Sequence, residues 1–192
     1  MAWKRINYHV FPLRRIECGM ELIKYNRMAA VEYAKRWAYS RNLAYYDFSR
    51  LGGDCTNFAS QCLFAGSGVM NYTPDIGWYY RSLSNRSAAW TGVEFFYRFL
   101  IGNRGDGTAN AINAIGNGAG PFASEVALSE LELGDFVQFG RETGDFYHTP
   151  VVVGFSGGMA LLAAHTNDAF GRRLDSYSFE RLRCLHILAV RI

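Results

Sequence analysis

Apolar residues first recur at helical spacing after Asn26. Ala30, Tyr33, Ala34, Trp37 and Ala38 make one stripe, and Glu32 with Arg36 makes an i, i+4 pair, which predicts a helix from Asn26 to about Arg41. An aromatic connector holding Tyr45, Tyr46 and Phe48 leads to Gly52-Gly53-Asp54-Cys55. Phe58, Ala59, Cys62 and Leu63 then predict a second, buried helix running to about Ala65, ended by Gly66-Ser67-Gly68. Residues 69–90 lack a sustained period and read as loop with short helical pieces. Thr91-Gly92-Val93-Glu94 has the form of a capping box ahead of a helix over 95–100 that stops near Gly102.

The period changes in the second half. Residues 102–121, rich in glycine and asparagine, read as a loop without the strand-loop-helix context of a phosphate cradle. From Leu131 on, short β-rich runs appear: 136–139, then 149–155 and 159–164 around the turn Ser156-Gly157-Gly158, and a last strand over 181–192. Helices come first and strands second, which predicts an α+β fold, N-terminal helices packed on a C-terminal antiparallel sheet. Residues 1–24, with a weak alternation at 6–11, read as an N-terminal arm before a single domain over 25–192.

Composition narrows the picture. The 192 residues suit one domain, and 49% hydrophobic with 16% aromatic residues fill a sizeable core. The net charge is +3, but the basic residues are scattered, with only short pairs such as Arg14-Arg15 and Arg172-Arg173, so a nucleic-acid partner is not expected. No segment reads as a signal peptide or approaches the roughly 20 apolar residues of a membrane span. The expectation is a cytoplasmic protein without membrane insertion, with release to a cell wall or spore left open. The oligomeric state is not legible. Four cysteines occur, Cys18, Cys55, Cys62 and Cys184, none in a C-x-x-C pair, so neither metal nor cofactor is expected. Cys55 and Cys62 would lie about 10.5 Å apart along one helix, too far for a disulfide, whereas Cys18 with Cys184 stays open.

Candidate chemistry centres on Cys55. Asp54 stands at a natural N-cap position, where its carboxylate can accept from the free N–H groups of the first turn. Cys55 would then open the helix, where the dipole favours thiolate over thiol. A thiolate nucleophile needs a base, and the base an orienting partner. With a turn at 156–158, His148 and His165 fall roughly opposite each other, ~5 Å apart across the hairpin. Asn167 and Asp168 follow at the same end. His186 reads as structural, His9 as a surface residue and Cys62 as core.

Gly53-Asp54-Cys55-Thr56-Asn57-Phe58, followed by Ser60-Gln61-Cys62-Leu63, resembles the signature of the putative amidase domain family. Tyr25-Asn26-Arg27, Met70-Asn71-Tyr72, Gly77-Trp78-Tyr79-Tyr80, Trp90-Thr91-Gly92-Val93, Gly134-Asp135 and His165-Thr166 with Asp168 match in order, so the resemblance spans about residues 25–192. It implies a papain-like cysteine hydrolase fold related to bacterial cell-wall amidases and endopeptidases. It also implies Cys55 as nucleophile, His148 as base and His165 as orienter, with Asn167 and Asp168 as rivals. Thr149 stands where the family usually has Ser. The oxyanion is expected at the Cys55 N–H, with Tyr46 or Asn42 as second donor. Asp54, Trp78 and Tyr79 are expected to face substrate. The expected function is cleavage of an amide or peptide bond of peptidoglycan through a thioester. The alternatives are acyl transfer to an amine, as in transglutaminase-like relatives, and a cell-wall-binding or interaction module without turnover.

Overall fold

The computed structural model describes residues 20–102 and 118–192. The alternation at 6–11, Cys18, most of the expected arm and most of the glycine-rich loop lie outside the described residues. After a short strand, β1 (Leu22–Ile23), helix α1 spans Arg27–Trp37. Asn26 caps it as expected, its Oδ1 accepting from the Ala29 N–H at 3.1 Å. Ala30, Val31 and Ala34 are its buried stripe.

Helix α2 spans Cys55–Ser67 and ends on Gly68 in the left-handed conformation, whose N–H donates to Phe64 O. Cys55 is its first residue, as expected. It is buried almost all round, polar residues included, as a helix at the centre of a domain must be. Gly66 allows it to lie against Tyr25, since a Cβ there would meet the Tyr25 ring at 2.3 Å. A small hairpin, β2 (Tyr80–Ser82) and β3 (Asn85–Arg86), and two helices, α3 (Ala88–Thr91) and α4 (Val93–Ile101), complete the helical half. The expected capping box does not form. Thr91 closes α3, and the N-cap of α4 is Gly92, which has no side chain to cap with.

The sheet holds β4 (Gly120–Glu125), β5 (Phe136–Gly140), β6 (Phe146–His148), β7 (Val151–Ser156), β8 (Met159–Ala164), β9 (Ala169–Arg173) and β10 (Arg181–Arg191). Its order is β1-β10-β5-β7-β8-β9, with β4 also paired to β10 and β6 to β5, every pair antiparallel. The result is a mixed helix-and-sheet fold in which the sheet curls into a half-barrel. The long β10 is its spine, pairing first with β5 and then with β4.

Alternation along the strands gives the sheet two apolar faces. Phe136, Val151, Ala163, Leu185 and Ile187 pack with Phe58, Ala59, Cys62 and Leu63 of α2. Val137, Phe139, Val152, Leu162 and Leu174 form a second cluster. Each such fully buried large side chain contributes roughly 1.5–3 kcal/mol. Trp78 stacks between Trp90, at 4.9 Å, and Phe99, at 5.8 Å, joining the helices above the first face.

One polar hub ties the two halves. The buried Asp135 accepts from Arg27 Nη1 at 2.5 Å and from the Glu132 and Ile187 N–H groups, and pairs with His186 Nδ1 at 2.8 Å. Arg27 also donates to Leu133 O and Ile187 O. His186 is thus structural, as its mid-strand position implied.

Candidate active site

Cys55 is 7% exposed at the head of α2. Its sulfur lies 3.9 Å from Tyr147 O and 3.8 Å from Thr56 Oγ1, and the Thr149 main-chain N–H also points at it. The sulfur therefore rests on the main chain on either side of His148. Thr56 Oγ1 in turn meets Thr149 Oγ1 at 3.3 Å, and Gln138 Nε2 reaches Thr149 from the sheet. Burial pushes the Cys55 thiol up. The Thr149 N–H, the Thr56 hydroxyl and the Thr56 N–H oppose this, and the neighbouring Asp54 adds to it. Desolvation is the largest of these influences and opposes the thiolate that a helix terminus favours.

The His148 ring has aromatic neighbours. His148 is 9% exposed and packs beside Phe139, at 5.7 Å between ring centroids, and Tyr177, at 6.4 Å. Burial, helped by the charge of Arg172, lowers its pKa to about 4, so at neutral pH the imidazole is uncharged. Among the described residues no hydrogen bond joins Cys55 to a ring nitrogen of His148 or His165.

Register explains the difference. β7 and β8 pair Ser156 with Met159, slip at a bulge between Val152 and Gly154, and end with Val151 opposite Ala163. Both histidines lie beyond that last pair. Continuing it brings Thr149, not His148, level with His165. A one-residue shift moves a side chain to the other face, and His148 joins the side of Phe139 while His165 stays on the side of Phe58.

His165 is organised around Asp54 instead. Its Nδ1 lies 2.6 Å from Asp54 Oδ2 and its Nε2 2.9 Å from Trp37 O, and its ring stacks on Phe58 at 3.9 Å. The carbonyl can only accept, and so can the ionised carboxylate, so both ring nitrogens carry protons. In this arrangement His165 has no lone pair with which to orient His148 or to take a proton from Cys55. Asp54 Oδ1 accepts from the Phe48 N–H and from Asn57 Nδ2, and these partners replace the expected cap on the main-chain N–H groups of the first turn of α2. Asp54 N–H donates to Thr166 Oγ1 at 2.9 Å. Gly53 permits that approach: its φ is +117°, and a Cβ would stand 3.2 Å from the same oxygen.

Of the other expected site residues, Asp168 is held two-pronged by Arg41, with both distances 2.9 Å, and Asn167 is exposed. Asn42 Nδ2 donates to Tyr33 OH and its Oδ1 accepts from Ala44 N–H, so its amide is already engaged. Tyr46 is exposed, its N–H donating to Tyr80 OH and its carbonyl accepting from Asn57 Nδ2. Two substrate-facing expectations are corrected. Trp78 is fully buried, its Nε1 donating to Ser60 Oγ, and Asp54 is buried against His165. Tyr79 is half-buried beside the exposed Tyr72. Asn57 is not among the site residues expected from the sequence. It bonds Asp54, Tyr46 O and, through Oδ1, Trp90 Nε1, and so braces the first turn of α2. Its place in the Asp54-Cys55-Thr56-Asn57 run was the available signal.

Residues 24–187 match the family described as putative amidase domain. The chain belongs to that family. A relative in Bacillus subtilis (strain 168), the uncharacterized protein YhbB, is 34% identical over 162 residues, covering 82% of this chain and 45% of the relative. The chain thus spans about half the length of the curated relative it matches. No solved structure matches it. Among the described residues no group of three or more His, Cys, Asp or Glu could hold a metal ion, and no helix is long and apolar enough to cross a membrane.

Proposed function

We propose that this putative amidase domain is a cysteine-dependent amide hydrolase of papain-like type. Its substrate would be peptidoglycan, either the stem peptides or the sugar–lactyl amide. The observation that carries the reading is Cys55 at the head of α2 in a family member, its sulfur against main-chain groups of Tyr147 and Thr149, which flank His148. The half-barrel sheet packed on this helix supports the papain-like assignment. The resemblance to cell-wall hydrolases supports the substrate.

In this mechanism the resting site is a neutral thiol beside a neutral imidazole. Rotation about the Cα–Cβ bond of His148 brings its ring from the Phe139 and Tyr177 side to the sulfur. Leaving that apolar setting also raises its basicity, because desolvation is what depresses it. His148 takes the thiol proton as sulfur attacks the amide carbonyl, and the oxyanion forms at the Cys55 N–H. His148 then protonates the leaving amine, and water attacking the thioester releases the acid.

The burial of Cys55 and the aromatic packing of the His148 ring favour one rival reading, a binding module that keeps the fold without turnover. Chromatography and mass spectrometry of muropeptides incubated with the protein separate the readings. New amine and carboxylate ends support hydrolysis. Incorporation of an added primary amine supports acyl transfer. Cell-wall binding that survives Cys55→Ala, with no products from the wild type, supports the binding module.

A further inference from the structure

We propose that His165 is a positioning residue that acts through Asp54, their buried pair neutralising the carboxylate beside Cys55 and fixing the junction that presents the sulfur. The proposal rests on Cys55 being the nucleophile. It assigns His165 a task different from orienting the base.

The geometry carries it in three steps. First, Asp54 immediately precedes Cys55 and is buried, so its charge acts on the sulfur through protein rather than water. An uncompensated carboxylate there opposes formation of a thiolate, against the help of the helix terminus. Second, the opposite charge at hand is the His165 imidazolium, 2.6 Å from Asp54 Oδ2 and buried with it. Its second N–H is held by Trp37 O, and the Phe58 ring covers its face, a contact that favours a cation. Third, the pair gathers segments far apart in the chain. Trp37 ends α1, Phe48 belongs to the connector, Asp54 to the head of α2, and His165 with Thr166 to the end of β8.

The other charged groups facing the pair come from two elements. Arg41 of the connector places Nε 3.8 Å from Asp54 Oδ2 and 3.5 Å from Asp47 Oδ1. Asp168, after β8, occupies the tip of the same guanidinium. Arg41 is therefore shared among three carboxylates and stands farther from Asp54 than His165 does. His165 supplies most of the compensation.

The test is the pH dependence of Cys55 alkylation by iodoacetamide, in which the thiolate displaces iodide to form a thioether. The adduct is mapped by peptide mass spectrometry to separate it from those of the other cysteines. Wild type, His165→Gln, Asp54→Asn and the double variant are compared. We expect His165→Gln to raise the midpoint by about half to one pH unit, about threefold to tenfold slower labelling on the rising limb. Asp54→Asn should lower it by a similar amount, and the double variant should follow Asp54→Asn. A purely structural pair would loosen the junction in both single variants and speed both. Midpoints that move in the same direction, or do not move, overturn the proposal. If His165→Gln does not fold, Asp54→Asn alone decides: an unchanged or raised midpoint overturns it. No amide substrate takes part, so failure here leaves the hydrolase reading standing, and failure to cleave muropeptides leaves this result standing.

Discussion

Cys55 Sγ lies 3.9 Å from the carbonyl oxygen of Tyr147, an acceptor that a thiol can donate to and a thiolate cannot. Desolvation raises the thiol as well. Reactivity of Cys55 toward iodoacetamide should therefore rise at higher pH than that of a free cysteine, whose pKa is ~8.5. A midpoint below that value would show a preformed thiolate instead.

Hydrolysis should depend on both members of the proposed pair. Cys55→Ala should abolish it, and His148→Ala should lower kcat/KM on the order of 10²–10⁴-fold, the usual contribution of a general base. Steady-state rates on a stem-peptide fragment check both. Full activity in His148→Ala would assign the base elsewhere.

The setting of His148 also makes stability pH-dependent. Its folded pKa of about 4 lies below the ~6.5 of the unfolded chain, so between those values the unfolded state binds more protons. Its contribution is complete above ~6.5 and is lost as pH falls toward 4. The full loss is on the order of 3 kcal/mol. Urea unfolding at several pH values should show this slope in the wild type and a shallower one in His148→Leu.

Asn57→Ala should destabilise the fold by about 2–4 kcal/mol. It leaves the Trp90 indole N–H and the Tyr46 carbonyl without their partner and opens a gap beside Asp54. Denaturant midpoints measure this. The loss should appear also as faster alkylation of Cys55, because Asn57 braces the turn that carries it.

Asp135→Ala should cost more, about 3–5 kcal/mol, because it removes the buried partner of the Arg27 charge and leaves two main-chain N–H groups without their acceptor. Asp135→Asn should cost less, since its carbonyl still accepts. Thermal or chemical unfolding of the two variants gives the order.

Much of this arrangement can be read along the chain where local rules govern. Gly52-Gly53-Asp54 followed by Phe58, Ala59, Cys62 and Leu63 announces α2 and puts Cys55 at its head, and Ser156-Gly157-Gly158 announces the β7–β8 turn. β4, β6 and β9 escape because they are short or begin at Gly120-Pro121, and carry little alternation. The site fails to declare itself where distant partners override local preference. Asp54 has the form of a helix cap, yet a histidine 111 residues away takes its carboxylate. The bulge between Val152 and Gly154 leaves no mark in the sequence, and that one residue decides which way His148 faces.

The most direct test of the central claim is to label the nucleophile with a substrate-derived probe, whose carboxylate the attacking sulfur displaces to leave a thioether. A stem peptide bearing an acyloxymethyl ketone in place of the scissile amide is incubated with the protein, and the adduct is located by peptide mass spectrometry. We expect one adduct, on Cys55, formed more slowly in His148→Ala and suppressed by excess muropeptide. Labelling spread evenly over Cys55, Cys62 and Cys184, or unaffected by muropeptide, would contradict Cys55 as the nucleophile of an amide hydrolase acting on the cell wall.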